Sequence, residues 1–385
     1  MFFSEKNPAL LRTLLRSRWD PDRLAWIESD LRLHADLDWV ALIDVAQQAR
    51  VAPLIYLVLR EKAWLPTYAL DRLRMFYFAT ARRNLLAFNA LARVIEHLNA
   101  HDIPNLLLKG VALTLTLYKN EALRPMGDVD VLVRREDVEH TLALLRELDY
   151  DTPIPEVRAG ARLAYDGELF VQPGVAHAAP IDLHWNLINA PNYRHSPAEQ
   201  WLWDSAQPVV VGHAEGRVLC PEAQLIHLCA HKVLHHSGED ATGGALWGFD
   251  IALLLSEQTL DWDVVLTQAQ ALDMIAPLQM ALPAVVREWG ELVPEAVLAH
   301  LPAFKPSRTE RRLLRWRASE HKRTGARGVW ANIQAMPNVW AALRYVWSML
   351  FPSVRYMREH YGMSSVLLLP VYYVRRWVRG LGGTT

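Results

Sequence analysis

Three aspartates carry the first chemical suggestion in this chain. Asp128 and Asp130 lie two apart in the run Asp128-Val-Asp-Val-Leu-Val133, which alternates polar and apolar at its start as a strand does. Residues two apart on a strand point the same way, so both carboxylates leave one face. Two parallel acids repel and raise each other's pKa, and a divalent cation removes that conflict. Mg2+, or Mn2+ in its place, suits a carboxylate pair plus substrate phosphates. Asp182 lies in Pro180-Ile-Asp-Leu-His-Trp185, a second strand-like run. Side by side, the two strands would make a three-carboxylate cluster able to hold two metal ions about 4 Å apart, one on the attacking oxygen and one on the leaving side.

The neighbours of this cluster fit a phosphate. Lys109-Gly110 falls between a short apolar strand, 103–108, and a helix, 111–118. Its backbone N–H groups can therefore face an anion at a helix start, with Gly110 allowing close approach and Lys109 supplying a point charge. Arg124 sits in the loop that delivers the acidic strand, where it can clamp a phosphate. His184 shares the side of its strand with Asp182, so it either orients metal or phosphate or is a core histidine.

The segments Leu108-Lys-Gly-Val-Ala-Leu, Arg124-Pro-Met-Gly-Asp-Val-Asp-Val-Leu-Val133 and Ile181-Asp-Leu-His-Trp185 resemble the uncharacterised nucleotidyltransferase family of the polymerase-β-type superfamily. So do the later helix with His227, His231 and His235, the run Trp247-Gly-Phe-Asp250, and Asp261-Trp262. The likeness covers roughly Trp39 to Trp289. It implies an α+β fold, with a small mixed sheet flanked by helices. It also implies metal-dependent use of a nucleoside triphosphate, with ATP the first choice, and Asp128, Asp130 and Asp182 as the metal-binding acids. One departure is that the superfamily usually opens its site with Gly-Ser or Gly-Gly, where this chain has Lys109-Gly110.

His227, His231 and His235 line one face of a helix at four-residue steps. Three readings stay open: packing between domains, a wall of the nucleotide or acceptor pocket through His231, or a zinc site completed by Asp250 or His184. Trp247 is three residues from Asp250 on one helix face and is a candidate for stacking on a nucleoside.

These residues need elements to hold them. Residues 1–101 read as helical, with Asp38 as an N-cap and one long or two stacked helices from Tyr68 to Leu98; nothing there looks catalytic. Residues 102–220 form the α/β core, including a strand over 162–171. Residues 221–302 form a helical domain packed on it, and residues 303–385 a basic, Trp/Tyr-rich helical region.

Two cysteines among 385 residues exclude a disulfide framework and fit a cytoplasmic protein. Met1 to Arg16 lacks the apolar core of a signal peptide, and no window reaches the ~20 apolar residues of a membrane span. From Lys305 onward there are 15 Lys/Arg against 3 acids, beside Tyr372, Tyr373 and Trp377. Such a basic end either packs on the body or touches a polyanion or the membrane periphery. The acidic remainder would repel a nucleic-acid backbone, which argues against a template. The leading expectation is nucleotidyl transfer to an unidentified hydroxyl acceptor: a small molecule, sugar, peptide or protein. The alternatives are a non-catalytic nucleotide- or partner-binding module on the same fold, and a histidine-rich metal-dependent phosphohydrolase.

Overall fold

A computed structural model describes residues 6–20, 37–153, 156–161, 163, 166–174, 178–189, 198–235, 244–318, 326–336 and 338–381. Among the described residues, four helices lead in: α1 (Lys6–Arg16), α2 (Trp39–Gln48), α3 (Ala52–Leu59) and α4 (Thr67–Ala100). Asp38 caps α2 as its position suggests, Oδ1 accepting from the Ala41 N–H at 3.0 Å. The long apolar periodicity resolves into one helix, α4, of 34 residues.

A seven-stranded mixed sheet follows, and the fold is the α+β arrangement expected. Its strands are β1 (Asn105–Leu108), β2 (Val129–Val133), β3 (Tyr150–Asp151), β4 (Glu168–Pro173), β5 (Ile181–His184), β6 (Gln207–Val211) and β7 (Ala214–Val218), in the order β3-β4-β5-β2-β1-β7-β6. β2 is central. It runs antiparallel to β1 and parallel to β5. Every residue of β2 is buried, because helices cover both of its faces. The strand expected over 162–171 forms instead at Glu168–Pro173, while Arg162 lies outside the described residues. The β6–β7 hairpin, turning at Gly212-His213 with Gly212 at φ +60°, was not anticipated.

The two sheet faces feed two apolar clusters. Leu107, Val129, Val131, Val133 and Leu183 pack with the second half of α4 and with α6 (Val138–Glu147). Leu106, Leu108 and Leu132, one residue out of phase, join the first three helices and the later helices. Asp130 has the phase of Leu132, so the acids emerge on this second face. After a short helix, α7 (Glu199–Asp204), that face is covered by α8 (Pro221–His235) and α9 (Gly244–Glu257).

The helices α10 (Trp262–Ala271), α11 (Ile275–Trp289), α12 (Glu295–His300) and α13 (Arg308–Ala318) complete this layer. Asp261 caps α10, its Oδ1 accepting from the N–H groups of Asp263 and Val264 at 3.0 and 3.1 Å. Four more follow: α14 (Ala326–Ala335), α15 (Val339–Leu350), α16 (Val354–Tyr361) and α17 (Leu369–Leu381). Among the described residues, no helix is long and apolar enough to cross a membrane.

Candidate active site

The sheet register brings the acids together. Asp130 pairs with Asp182 across the parallel β2–β5 ladder, and Leu132 pairs with His184 two steps on. One ligand atom from each of Asp130, Asp182 and His184 lies within 4.8 Å of the others. Asp128 stands just before β2 and lines the same cleft. The cleft encloses about 290 Å3 and is walled by Lys109, Gly110, Arg124, His231 and Trp247 as well.

Asp130 is the most buried acid of the group. Lys109 Nζ donates to its Oδ1 at 2.7 Å, and His184 Nε2 lies 3.0 Å from the same oxygen. Burial alone would raise the Asp130 pKa, but the Lys109 ammonium and then His184 outweigh it and hold the carboxyl well below its usual range. Asp182 goes the other way. Burial, then the charges of Asp130, Asp128 and Glu168, push it up to about 6. Asp128 is raised too, by burial and by Asp130. The Lys109 ammonium also loses favour on burial, yet Asp130 and Glu168 more than restore it and raise its pKa.

Lys109 holds this position at a backbone cost. Its φ of +45° is left-handed, a conformation that suits glycine, and such strain tends to collect at functional sites. It opens α5 (Lys109–Leu113), which runs on into a π-helical turn, Thr114–Tyr118. Gly110 is required by space: a Cβ there would meet Arg124 Nη1 at 2.4 Å and Met126 at 3.0 Å.

Arg124 is buried and tied to α9. Its Nε and Nη2 donate to both oxygens of Asp250, with the Nη2–Oδ2 distance 2.8 Å, and the Tyr118 hydroxyl donates to Asp250 Oδ1 at 2.6 Å. Asp250 is thus the anchor of Arg124, and Nη1 is the guanidinium nitrogen beside Gly110. Asn84, midway along α4, donates to the carbonyls of Glu121 and Arg124 and braces the loop from below.

Two cleft residues went unnoticed in the sequence. Glu168 opens β4 opposite His184, and its Oε2 lies 3.2 Å from His184 Nδ1, in ion-pair range but without hydrogen-bond geometry. The only signal was an acid at the start of an apolar strand-like run. Arg50 comes from the N-terminal helices, where nothing catalytic was expected. It sits after α2 at φ +59°, donates to the Pro125 carbonyl at 2.9 Å, and lines the cleft near Asp128.

Of the histidine stripe, His231 and His235 reach the cleft. Their rings stack with centroids 5.2 Å apart, and Trp247 meets His231 edge-on at 6.3 Å. His227 is buried, and burial followed by Lys109 and His184 lowers its pKa to about 3, so the ring stays neutral. Among the described residues, the metal-ligand grouping is Asp130, Asp182 and His184; the stripe forms none of its own.

The model of an uncharacterised nucleotidyltransferase family matches residues 35–289, a span that holds the whole sheet and every cleft residue. The chain belongs to this family. No curated protein matches it. Membership in this nucleotidyltransferase family supports an enzyme of that type and implies a nucleoside triphosphate substrate. Nucleotidyltransferases generally use a divalent metal, and the converging oxygen donors with one imidazole fit such an ion.

Proposed function

We propose that the chain transfers a nucleoside monophosphate from a nucleoside triphosphate, ATP first among them, to a hydroxyl of a non-template acceptor, releasing pyrophosphate. One observation carries this reading. Asp130 and Asp182 face each other from adjacent parallel strands in a cleft that also holds Asp128 and three cationic side chains, Lys109, Arg50 and Arg124.

Asp128, Asp130 and Asp182 would hold Mg2+ or Mn2+, with His184 the adjoining nitrogen donor. When bound, the metal neutralises phosphate oxygens and makes the acceptor hydroxyl more acidic. The acceptor hydroxyl gives up its proton to solvent as its oxygen attacks the α-phosphorus in line, the bond to the β-phosphate oxygen breaks, and pyrophosphate leaves. Lys109 and Arg124 hold the departing phosphates, and Gly110 leaves them room. Trp247 and His231 line the same cleft and offer flat surfaces for the base. Glu168 stands beside the far nitrogen of the His184 ring. Positioning and fixed charge supply most of the rate.

The test is incubation with α-labelled nucleoside triphosphates, Mg2+ or Mn2+ and cell extract, comparing the wild type with Asp128→Asn and Asp182→Asn. Label should move to an acceptor with the wild type alone. Free labelled monophosphate as the sole product would point to hydrolysis, and transfer by Asp128→Asn would remove the assignment.

A further inference from the structure

The C-terminal helices turn an apolar face to solvent. In α15, Trp340, Leu343, Trp347 and Leu350 recur at three- and four-residue steps, and all four are exposed, Trp340 by 73%. In α17 the same spacing runs back from Val378 through Val374 and Val371 to Leu367 just before the helix, and Leu367 is 90% exposed. Scattered surface apolar residues need no explanation, but two continuous stripes do.

The inward face of α17 is the more polar one. Tyr373 donates to the Pro352 carbonyl at 2.7 Å, Trp377 Nε1 to the Leu350 carbonyl at 2.9 Å, and Arg376 Nη1 to the Tyr361 hydroxyl at 2.7 Å. Phe351 fills the join, its ring 5.6 Å from Tyr373 and 5.5 Å from Trp377. The helix therefore has its valines outside and Arg376 turned inside, an unusual arrangement for a helix built for water.

Charge selects the partner. Neither α15 nor α17 contains an acid, and Arg344 and Arg375 are exposed on them. From Lys305 onward 15 Lys/Arg stand against 3 acids, while the residues before it carry 26 against 39. A second copy docked face to face would set arginine against arginine. An anionic bilayer would attract this end and repel the acidic body, which orients the molecule. Exposed tryptophans beside arginines suit the boundary between headgroups and acyl chains.

We propose that α15 and α17 form a docking face for an anionic lipid surface, on which the chain lies without spanning it. The inference is independent of the nucleotidyl-transfer reading.

The full-length protein tests it directly. Cys220 and Cys229 are both buried, so a cysteine introduced by Val371→Cys takes an environment-sensitive fluorophore selectively. Vesicles of phosphatidylcholine with added phosphatidylglycerol should shift its emission to the blue and float the protein, and phosphatidylcholine alone should do far less. A fluorophore at Val40→Cys, exposed on α2, should not respond. The pair Val371→Glu and Val374→Glu should weaken vesicle binding by roughly tenfold or more, with an unchanged thermal melt. Three results would overturn the proposal: no vesicle association at low salt, binding that survives the two glutamates unchanged, or self-association that these glutamates dissolve in a protein that ignores vesicles.

Discussion

Lys109 Nζ sits 2.7 Å from Asp130 Oδ1, so the deepest acid of the cluster already has a cation against it. Lys109 and a metal ion would compete for one oxygen. Lys109→Met should therefore bind Mn2+ more tightly, by roughly tenfold, because a neighbouring positive charge is gone. Nucleotidyl transfer should nevertheless fall. Calorimetric titration with Mn2+ beside a transfer assay separates the effects; weaker metal binding would show that Lys109 supports the ion instead.

Asp182 fixes the pH dependence. Its pKa is raised to about 6, above the ordinary 3.8, so the folded metal-free protein holds this proton more tightly than the unfolded chain does. From this group alone, stability is greatest below about 4 and falls as pH rises through 6. Metal binding must displace that proton. Affinity should climb between about pH 5 and 7 and then level off, with a proton released per binding event in the lower range. Calorimetry in buffers of different ionisation heat reads the proton, and Asp182→Asn should abolish the release.

The Arg124–Asp250–Tyr118 group is structural as well as positional. Asp250→Asn leaves a buried guanidinium without its counter-charge and should cost about 3–5 kcal/mol. Tyr118→Phe removes one hydrogen bond to a charged group and should cost about 2 kcal/mol. Denaturant midpoints measure both. Equal costs would mean that the ion pair contributes nothing beyond the hydroxyl.

Gly110→Ala places a methyl group 2.4 Å from Arg124 Nη1. Since Asp250 pins the rest of that guanidinium, the side chain cannot simply swing away. Stability should drop by about 1–3 kcal/mol. Nucleotide binding, read by titration with a non-hydrolysable triphosphate, should weaken in parallel. An unchanged midpoint would show that the pair has slack.

The acidic cluster was legible because strand periodicity is local: Asp128, Asp130 and Asp182 lie in runs whose neighbours report the element and the phase. The cap at Asp38 was readable for the same reason. Arg50 was not, since its place in the cleft depends on how α2 packs 75 residues away from Pro125. Nor was the partnership of Arg124 with Asp250, which joins positions 126 residues apart. Glu168 was hidden by the weak pattern around it, and the β6–β7 hairpin by an exposed strand, Gln207–Val211, with little apolar alternation.

Helix α4 enters both apolar clusters: Ala69 and Leu73 belong to one, and Ala87 through Leu98 to the other. A rod of 34 residues measures about 50 Å, and helix formation along it is cooperative. The two halves of the molecule are thus splinted together. Denaturant should melt them in one concerted transition, and a protease that nicks α4 at its middle should release both at once.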